Sequence, residues 1–407
     1  MEVIYPRCGG LDVHKDLVVA CVRLAEGQEV KRETKRFGTT TRQLLHLSDW
    51  LASHRVTHVA MESTGVYWKP VWHILEGEFA LVLGKAKDMR NVPGRKSDES
   101  DSSWITELQA HGLIRPSFVP PEPIQEMRDL TRTRKQLVRA RAESVQRIQK
   151  VLEDANLKLA SVLSDIQGLS GRTILNAIVD GITDPQYLAR LAHPRVKAPR
   201  EKIAEALEGK VTDHHRFMLR LHLGQMDALQ RAIGELESRI DEKLSSFREI
   251  AELISTIPGL SGTVTATLIA ETGGDMSAFP SDDHLVSWAG LSPGLNESGG
   301  KRKSARTRPQ RWLKVAMVQA AHAAVKNKDS YLYSKYRRIR ARRGSKKAIL
   351  AIAATLLRAA YHVVKTRTPY QDLGTDYFDA RSQQRAVRHL VRRLEGLGYR
   401  VDLKAAA

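Results

Sequence analysis

The chain has 407 residues, long enough for two or three hydrophobic cores, and carries 65 Lys and Arg against 46 Asp and Glu, a net charge of +19. That balance points to a polyanionic partner. With 42% hydrophobic and 6% aromatic residues, and no run reaching the roughly 18 uninterrupted apolar residues of a spanning helix, it argues against a membrane protein.

Residues 1–7 lead into a polar, Gly-containing segment and not into a secretory apolar region, so a cytoplasmic protein is expected. Cys8 and Cys21 lie amid alternating apolar positions and read as buried thiols, not as a disulfide or zinc pair. Residues 10–23 and 29–37 alternate like paired strands. After them come an amphipathic helix over 41–54, a β-branched run over 56–61, a helix over 66–76 and a buried strand over 79–83. Strands that come first and then alternate with helices predict a mixed sheet with helices on its faces, an α/β fold.

Pro116, Pro120, Pro121 and Pro123 interrupt ladders and helices alike and predict a boundary at residue 119. Beyond it, apolar residues fall at heptad steps in two series. One runs Val138, Val145, Ile148, Leu152, Ala155, Leu159, Val162 and Ile166. The other runs Met226, Leu229, Ile233, Leu236, Ile240, Phe247 and Ile250, with Lys243 at the remaining seam position. Such helices pair as an antiparallel hairpin within one chain or meet the same helices of a second copy, and an oligomer is the expectation. The predicted organisation is an α/β domain over 1–119, a helical coiled-coil region over 120–252, a mostly helical domain over 253–378 and a basic tail over 379–407. The last domain opens on Ile257-Pro-Gly-Leu-Ser-Gly262, a turn whose glycines let backbone N–H groups approach a phosphate, although a plain helix-packing turn needs the same residues. Gln167-Gly-Leu-Ser-Gly171 is a weaker echo.

Four acids stand out in the first part. Asp12 sits inside an apolar strand, where a carboxylate is costly unless paired or bound to a cation. Glu62 ends a second strand, and Asp98 and Asp101 lie three apart where a helix begins, on one face of it, with Glu99 facing away. Each alone has an ordinary reading as a cap or surface residue. Together they form an oxygen-ligand set suited to Mg²⁺, with Mn²⁺ as the alternative, for phosphoryl transfer. A second group of residues spans 288–304, where Ser298 precedes two glycines and the basic run Lys301, Arg302 and Lys303, with Ser304 in the same stretch. Such a serine reads either as a nucleophile toward a phosphodiester or as part of a flexible loop. Residues 301–350 hold 17 Lys and Arg, Arg306 and Arg308 among them, against one acid, Asp329. Interleaved Trp312, Tyr331, Tyr333 and Tyr336 favour a folded nucleic-acid surface over a solvated tail.

From about Gly10 to Tyr377 these motifs, in this order, resemble the DEDD-type transposases of bacterial insertion sequences, also called bridge recombinases. The motifs are the strand-borne Asp12, Met-Glu-Ser-Thr-Gly at Glu62, Lys-Ser-Asp-x-x-Asp at Asp98 and Asp101, Ile-Pro-Gly-Leu from Ile257, and Gly-Leu-Ser-Pro through Ser-Gly-Gly-Lys at Ser298. The resemblance implies a RuvC-like, ribonuclease H-type N-terminal domain, a central coiled coil and a C-terminal transposase domain. It implies that Asp12, Glu62, Asp98 and Asp101 bind Mg²⁺ and that Ser298 attacks DNA, the two parts of the site coming from different subunits of a homodimer or homotetramer. It also implies a structured guide RNA, the bridge RNA, that pairs with donor and target DNA. Two other readings fit the residues: a junction nuclease in which water attacks, and a nonenzymatic nucleic-acid scaffold.

Overall fold

The computed structural model describes residues 2–26, 29–63, 65–86, 89, 101–298, 301–305 and 311–402. Asp98, Arg306 and Arg308 lie outside the described residues. The chain divides into two compact units, 1–120 and 121–407.

In the first unit, β1 (Arg7–Val13), β2 (Leu17–Glu26) and β3 (Glu29–Gly38) run antiparallel. After α1 (Thr41–Ser53), β4 (His58–Glu62) lies parallel to β1, and after α2 (Trp68–Leu75), β5 (Ala80–Gly84) lies parallel to β4. The sheet order is β3-β2-β1-β4-β5, so β1 is central. The expected single strand over 10–23 is two strands. The chain reverses at the exposed His14, Lys15 and Asp16, where the His14 N–H donates to the Leu17 carbonyl at 2.8 Å. A polar triplet that cannot be buried on either face turns the chain even without glycine or proline.

Side chains alternate across this sheet with a period of two. Leu11, Val13, Val59 and Met61 join Leu44, Leu47, Leu51 and Leu75 of α1 and α2 in one core. The largest of these are fully buried, each contributing on the order of 1.5–3 kcal/mol. Ala60 belongs to a smaller cluster with Trp104, Ile105 and Leu108 of α3 (Asp101–Ala110), which places α3 against the opposite face.

The second unit is almost wholly helical. Its spine is α4 (Glu122–Asp154), which starts on a proline in its first turn where no N–H partner is lost. Four short helices follow, α5 (Leu159–Val162), α6 (Leu169–Val179), α7 (Pro185–Arg190) and α8 (Arg200–Glu205), and then α9 (Asp213–Leu244). Glu126 pairs with Lys243, Arg134 with Glu237, Arg141 with Gln230 and Asp154 with His215, so α4 and α9 run antiparallel. The two apolar stripes thus meet inside one chain. Both heptad series overrun their helices. α4 stops at Asp154, followed by Asn156 at φ +56°, and Leu159 and Ile166 belong to the core of the short helices; Phe247 and Ile250 lie past the end of α9. Apolar spacing marks what is buried, whether or not the helix continues.

The second core of this unit gathers Ile124 and Met127 of α4 with α10 (Arg248–Ser255), α11 (Thr263–Thr272), α12 (Asp282–Trp288), α13 (Arg311–Ala324), α14 (Tyr331–Arg343) and α15 (Ser345–Thr366). α15 is long and apolar enough to cross a membrane by length and composition, yet 61% of its apolar window is buried as the core helix of this cluster. A two-stranded hairpin, β6 (Gly294–Ser298) with β7 (Lys301–Ala305), precedes α13. Where a basic tail was expected, α16 (Tyr377–Gly396) forms. In the turn between α10 and α11, Gly259 has φ +82°, and a Cβ there would lie 2.4 Å from the Ala320 carbonyl of α13. Close helix packing therefore accounts for that glycine. Gly262, at φ +51° with open space around it, is spared that constraint.

Candidate active site and nucleic-acid interface

Asp12 is the penultimate residue of β1 and Glu62 the last of β4. Leu11 pairs with Met61 in the parallel register, so Asp12 and Glu62 occupy neighbouring positions at the C-terminal ends of adjacent strands, on the face opposite the α1–α2 core. Gly10 precedes Asp12 on that same face. A Cβ at Gly10 would lie 2.4 Å from the Thr106 backbone nitrogen and 2.6 Å from the Ser102 carbonyl. Its absence lets the backbone of α3 approach the strand directly. Thr106 fastens the contact, its hydroxyl placed 2.7 Å from the Ser102 carbonyl and 3.1 Å from the Cys21 carbonyl of β2. Glu107 adds ion pairs to Arg32 at 2.5 Å and Arg23 at 3.5 Å and accepts from His111 at 3.1 Å.

This docking brings the first residue of α3, Asp101, into the field of the two strand-borne acids. Burial holds the Asp12 carboxyl above its ordinary range; His14 opposes this, and the negative charges of Asp101 and Glu62 reinforce it. His14 Nε2 lies 3.1 Å from Asp12 Oδ2. Three of the four expected carboxylates are thus coupled through charge, while the fourth, Asp98, lies outside the described residues. Among the described residues no three His, Cys, Asp or Glu side chains are drawn close enough to hold one ion as they stand. The donor set nevertheless fits a hard divalent cation: it is all oxygen, partly buried, and each acid raises the cost of ionising Asp12, which is the cost a cation offsets.

Gly10→Ala is expected to push α3 off β1, costing about 1–3 kcal/mol as an overpacked contact and lowering any activity that needs Asp101. A denaturant midpoint unchanged from wild type would refute the close-approach role. Gly10, Thr106 and Glu107 were not found from the sequence. A glycine two residues before an in-strand aspartate was the available signal for the first; nothing local marks Glu107, whose partner Arg32 is 75 residues away.

In the second unit Ser298 ends β6 and pairs with Lys301, the first residue of β7. The expected loop is a strand end at this point. Ser304 pairs with Leu295, three rungs away, so the two serines hold distinct positions in the ribbon. Lys303 pairs with Asn296 and Arg302 with Glu297. Further along the basic window, Arg337, Arg338 and Arg340 of α14 line a groove of about 550 Å³ with Phe378 of α16. The Arg338 guanidinium lies 5.0 Å from the Phe378 ring centre, and Tyr331 stacks on that ring at 5.2 Å. Cations beside an aromatic face suit a nucleic-acid strand.

Residues 9–157, which include Asp12, Glu62, Asp98 and Asp101, match the family model of DEDD transposases of the IS110 type. Residues 251–337, which include Ser298, match the model of the Transposase IS116/IS110/IS902 family. The chain belongs to this transposase family. It is 31% identical over 151 residues to a 42 kDa protein of insertion element IS900 from Mycobacterium paratuberculosis, covering 36% of this chain and 37% of that one. A 44.8 kDa protein of insertion element IS116 from Streptomyces clavuligerus is 26% identical over 281 residues, 60% of this chain and 68% of that one. The pilin gene-inverting protein of Moraxella lacunata is 30% identical over 146 residues, 34% and 45% of the two chains. Against the IS900 protein this chain thus aligns over little more than a third of the relative's length.

Proposed function

We propose that this transposase is a Mg²⁺-dependent DNA recombinase that cuts and rejoins strands through a serine ester. The observation that carries the reading is the charge-coupled group of Asp12, Glu62 and Asp101 at the C-terminal edge of a central strand pair. The order β3-β2-β1-β4-β5, antiparallel on one side of β1 and parallel on the other, supports a RuvC-like, ribonuclease H-type assignment.

Mg²⁺, or Mn²⁺ in its place, held by Asp12, Glu62, Asp98 and Asp101, would polarise a scissile phosphodiester. The carboxylates would fix its position, and β1, β4 and α3 carry Asp12, Glu62 and Asp101. The Ser298 oxygen attacks phosphorus and forms the serine ester while the bond to the departing sugar oxygen breaks; that oxygen leaves with the proton the serine gives up. A hydroxyl from the second DNA end reverses the step, which restores Ser298 and joins the new strand. Lys301, Arg302 and Lys303 of β7, with Arg306 and Arg308 after it, neutralise backbone phosphates, so affinity should fall steeply with salt. The DNA partners are a donor and a target. The reading extends to a cytoplasmic homodimer or homotetramer that pairs carboxylates and serine across subunits and uses the structured bridge RNA as its guide. The α4–α9 helix pair supports the coiled-coil assignment within it.

The test is to mix the protein with Mg²⁺, supercoiled DNA carrying the element junction and target, and RNA from the element's noncoding flank, and to look for a denaturant-resistant protein–DNA adduct. An adduct that maps to Ser298 and disappears in Ser298→Ala is the expected result. Cleavage with no adduct would replace the serine by water, and an adduct that survives Ser298→Ala but not Ser304→Ala would move the role to the second serine.

A further inference from the structure

Within the second unit α4, α11 and α13 enclose a cavity of about 450 Å³, in the size range of small-ligand pockets. Its walls divide by chemistry. Trp312 and Val315 of α13 give one side an apolar face, while Lys135 and Arg139 of α4 stand on the other, and Thr263 and Thr267 bring in the first turn and a half of α11. The N-terminal N–H groups of that helix add a positive end to the same space.

Arg132, which lines the same cavity, holds the wall in place. Its guanidinium lies 5.7 Å from the Trp312 ring centre, and Glu271, wholly buried in α11, accepts from it twice at 2.8 Å. Trp312 therefore has a fixed cation beside its ring. Lys135 has no ion pair among the described residues; its Nζ donates to Gln319 at 3.3 Å. Burial and the charge of Arg134 both oppose its protonation, a cost that an anion at the site would remove. The Arg139 partner, Glu143, is an exposed neighbour one turn on, a contact worth little in water.

We propose that this cavity seats one unpaired nucleotide of a nucleic-acid strand, its base against Trp312 and its phosphate at Lys135 and Arg139, an inference that rests on reading the chain as a nucleic-acid enzyme. A flat aromatic face beside two cations and a helix N-terminus matches the two halves of a nucleotide, and a base drawn out of its stack is what such a seat can hold. Stacking on Trp312 and phosphate pairing at Lys135 and Arg139 read no base edge, so these contacts are indifferent to sequence.

The experiment is fluorescence anisotropy with full-length protein, without Mg²⁺, using labelled oligothymidylate, oligouridylate of the same length and a matched duplex over a range of salt. For single strands, Trp312→Leu is expected to weaken binding by about five-fold or more, and Lys135→Gln with Arg139→Gln to lower the salt slope by about 1.4; Trp312→Phe retains most of the affinity. Since Trp312 also packs on Arg132, the lysine and arginine variants on the surface of α4 keep the test decisive if Trp312→Leu fails to fold. A loss confined to thymidylate or to uridylate assigns the nucleotide to DNA or to RNA. Single-strand binding that is unchanged in the variants, an equal loss for the duplex, or no strand binding by the wild type overturns the proposal. A protein that forms the Ser298 adduct while all variants bind strands normally loses only this pocket; one that binds through the pocket and never forms an adduct loses only the serine mechanism.

Discussion

Asp12→Asn is expected to lower the proposed Mg²⁺-dependent strand cleavage and transfer by about a hundred-fold or more, because it removes a charge that a bound cation would need. The same substitution should leave the fold at least as stable. Asp12 has its carboxyl held above the ordinary range by burial and by Asp101 and Glu62, so its ionisation opposes folding. The sign follows from linkage: the penalty is absent below the unfolded value of 3.8, where the group is protonated in both states, and it sets in as pH rises through the higher folded value. At neutral pH the wild type carries that penalty and the variant does not. Added Mg²⁺ should accordingly raise the Tm of the wild type and leave that of Asp12→Asn nearly unmoved. Calorimetry with and without Mg²⁺, beside a plasmid cleavage assay, checks both halves. Cleavage at the wild-type rate in Asp12→Asn would remove Asp12 from the cleavage mechanism, whereas no cleavage by either protein, with nucleic-acid binding intact, would leave the nucleic-acid scaffold.

Glu271→Ala is expected to cost about 3–5 kcal/mol of stability, the usual effect of breaking one side of a buried ion pair. Glu271 is wholly buried, accepts both bonds from Arg132 and lies 3.8 Å from Arg128, whose guanidinium also donates to the Ala270 and Glu271 carbonyls at 2.7 Å. Burial pulls the Arg128 pKa down to about 10 against the opposing pull of Glu271, and it remains a cation at neutral pH. Without the carboxylate two guanidiniums lose the buried anion between them, one of them 14% exposed and the other 32%, so the more exposed Arg132 turns to water and the loss falls toward the lower end. Urea unfolding of the full chain measures it. A midpoint within experimental error of wild type would mean that α4 and α11 are held by their apolar contacts alone.

The elements of the first unit were legible because each signal is local. The helix expected over 41–54 is Thr41–Ser53, the strand over 79–83 is Ala80–Gly84, and the β-branched run over 56–61 contains most of His58–Glu62. What failed was continuity. The strand over 10–23 is a hairpin because His14, Lys15 and Asp16 cannot be buried, and the heptads run past the ends of α4 and α9 because apolar residues keep their spacing across the turns that follow. Ser298 read as a loop residue because Ser-Gly-Gly-Lys carries the composition of one, whereas the flanking residues pair as strands.

By itself the sequence determined the residue types and their order: which acids stand on strands, where the positive charge concentrates, and that a sheet precedes a helical remainder. Those properties follow from periodicity and charge counted along the chain. Only the tertiary structure decided that Asp12 and Glu62 are neighbours, because parallel register is set by residues 50 apart. It alone decided that Asp101 joins them, because Gly10 leaves room for α3, and that Lys135 and Trp312 line one cavity. Distances between elements come from packing, and packing depends on what a residue lacks, such as the Cβ of Gly10, as much as on what it carries.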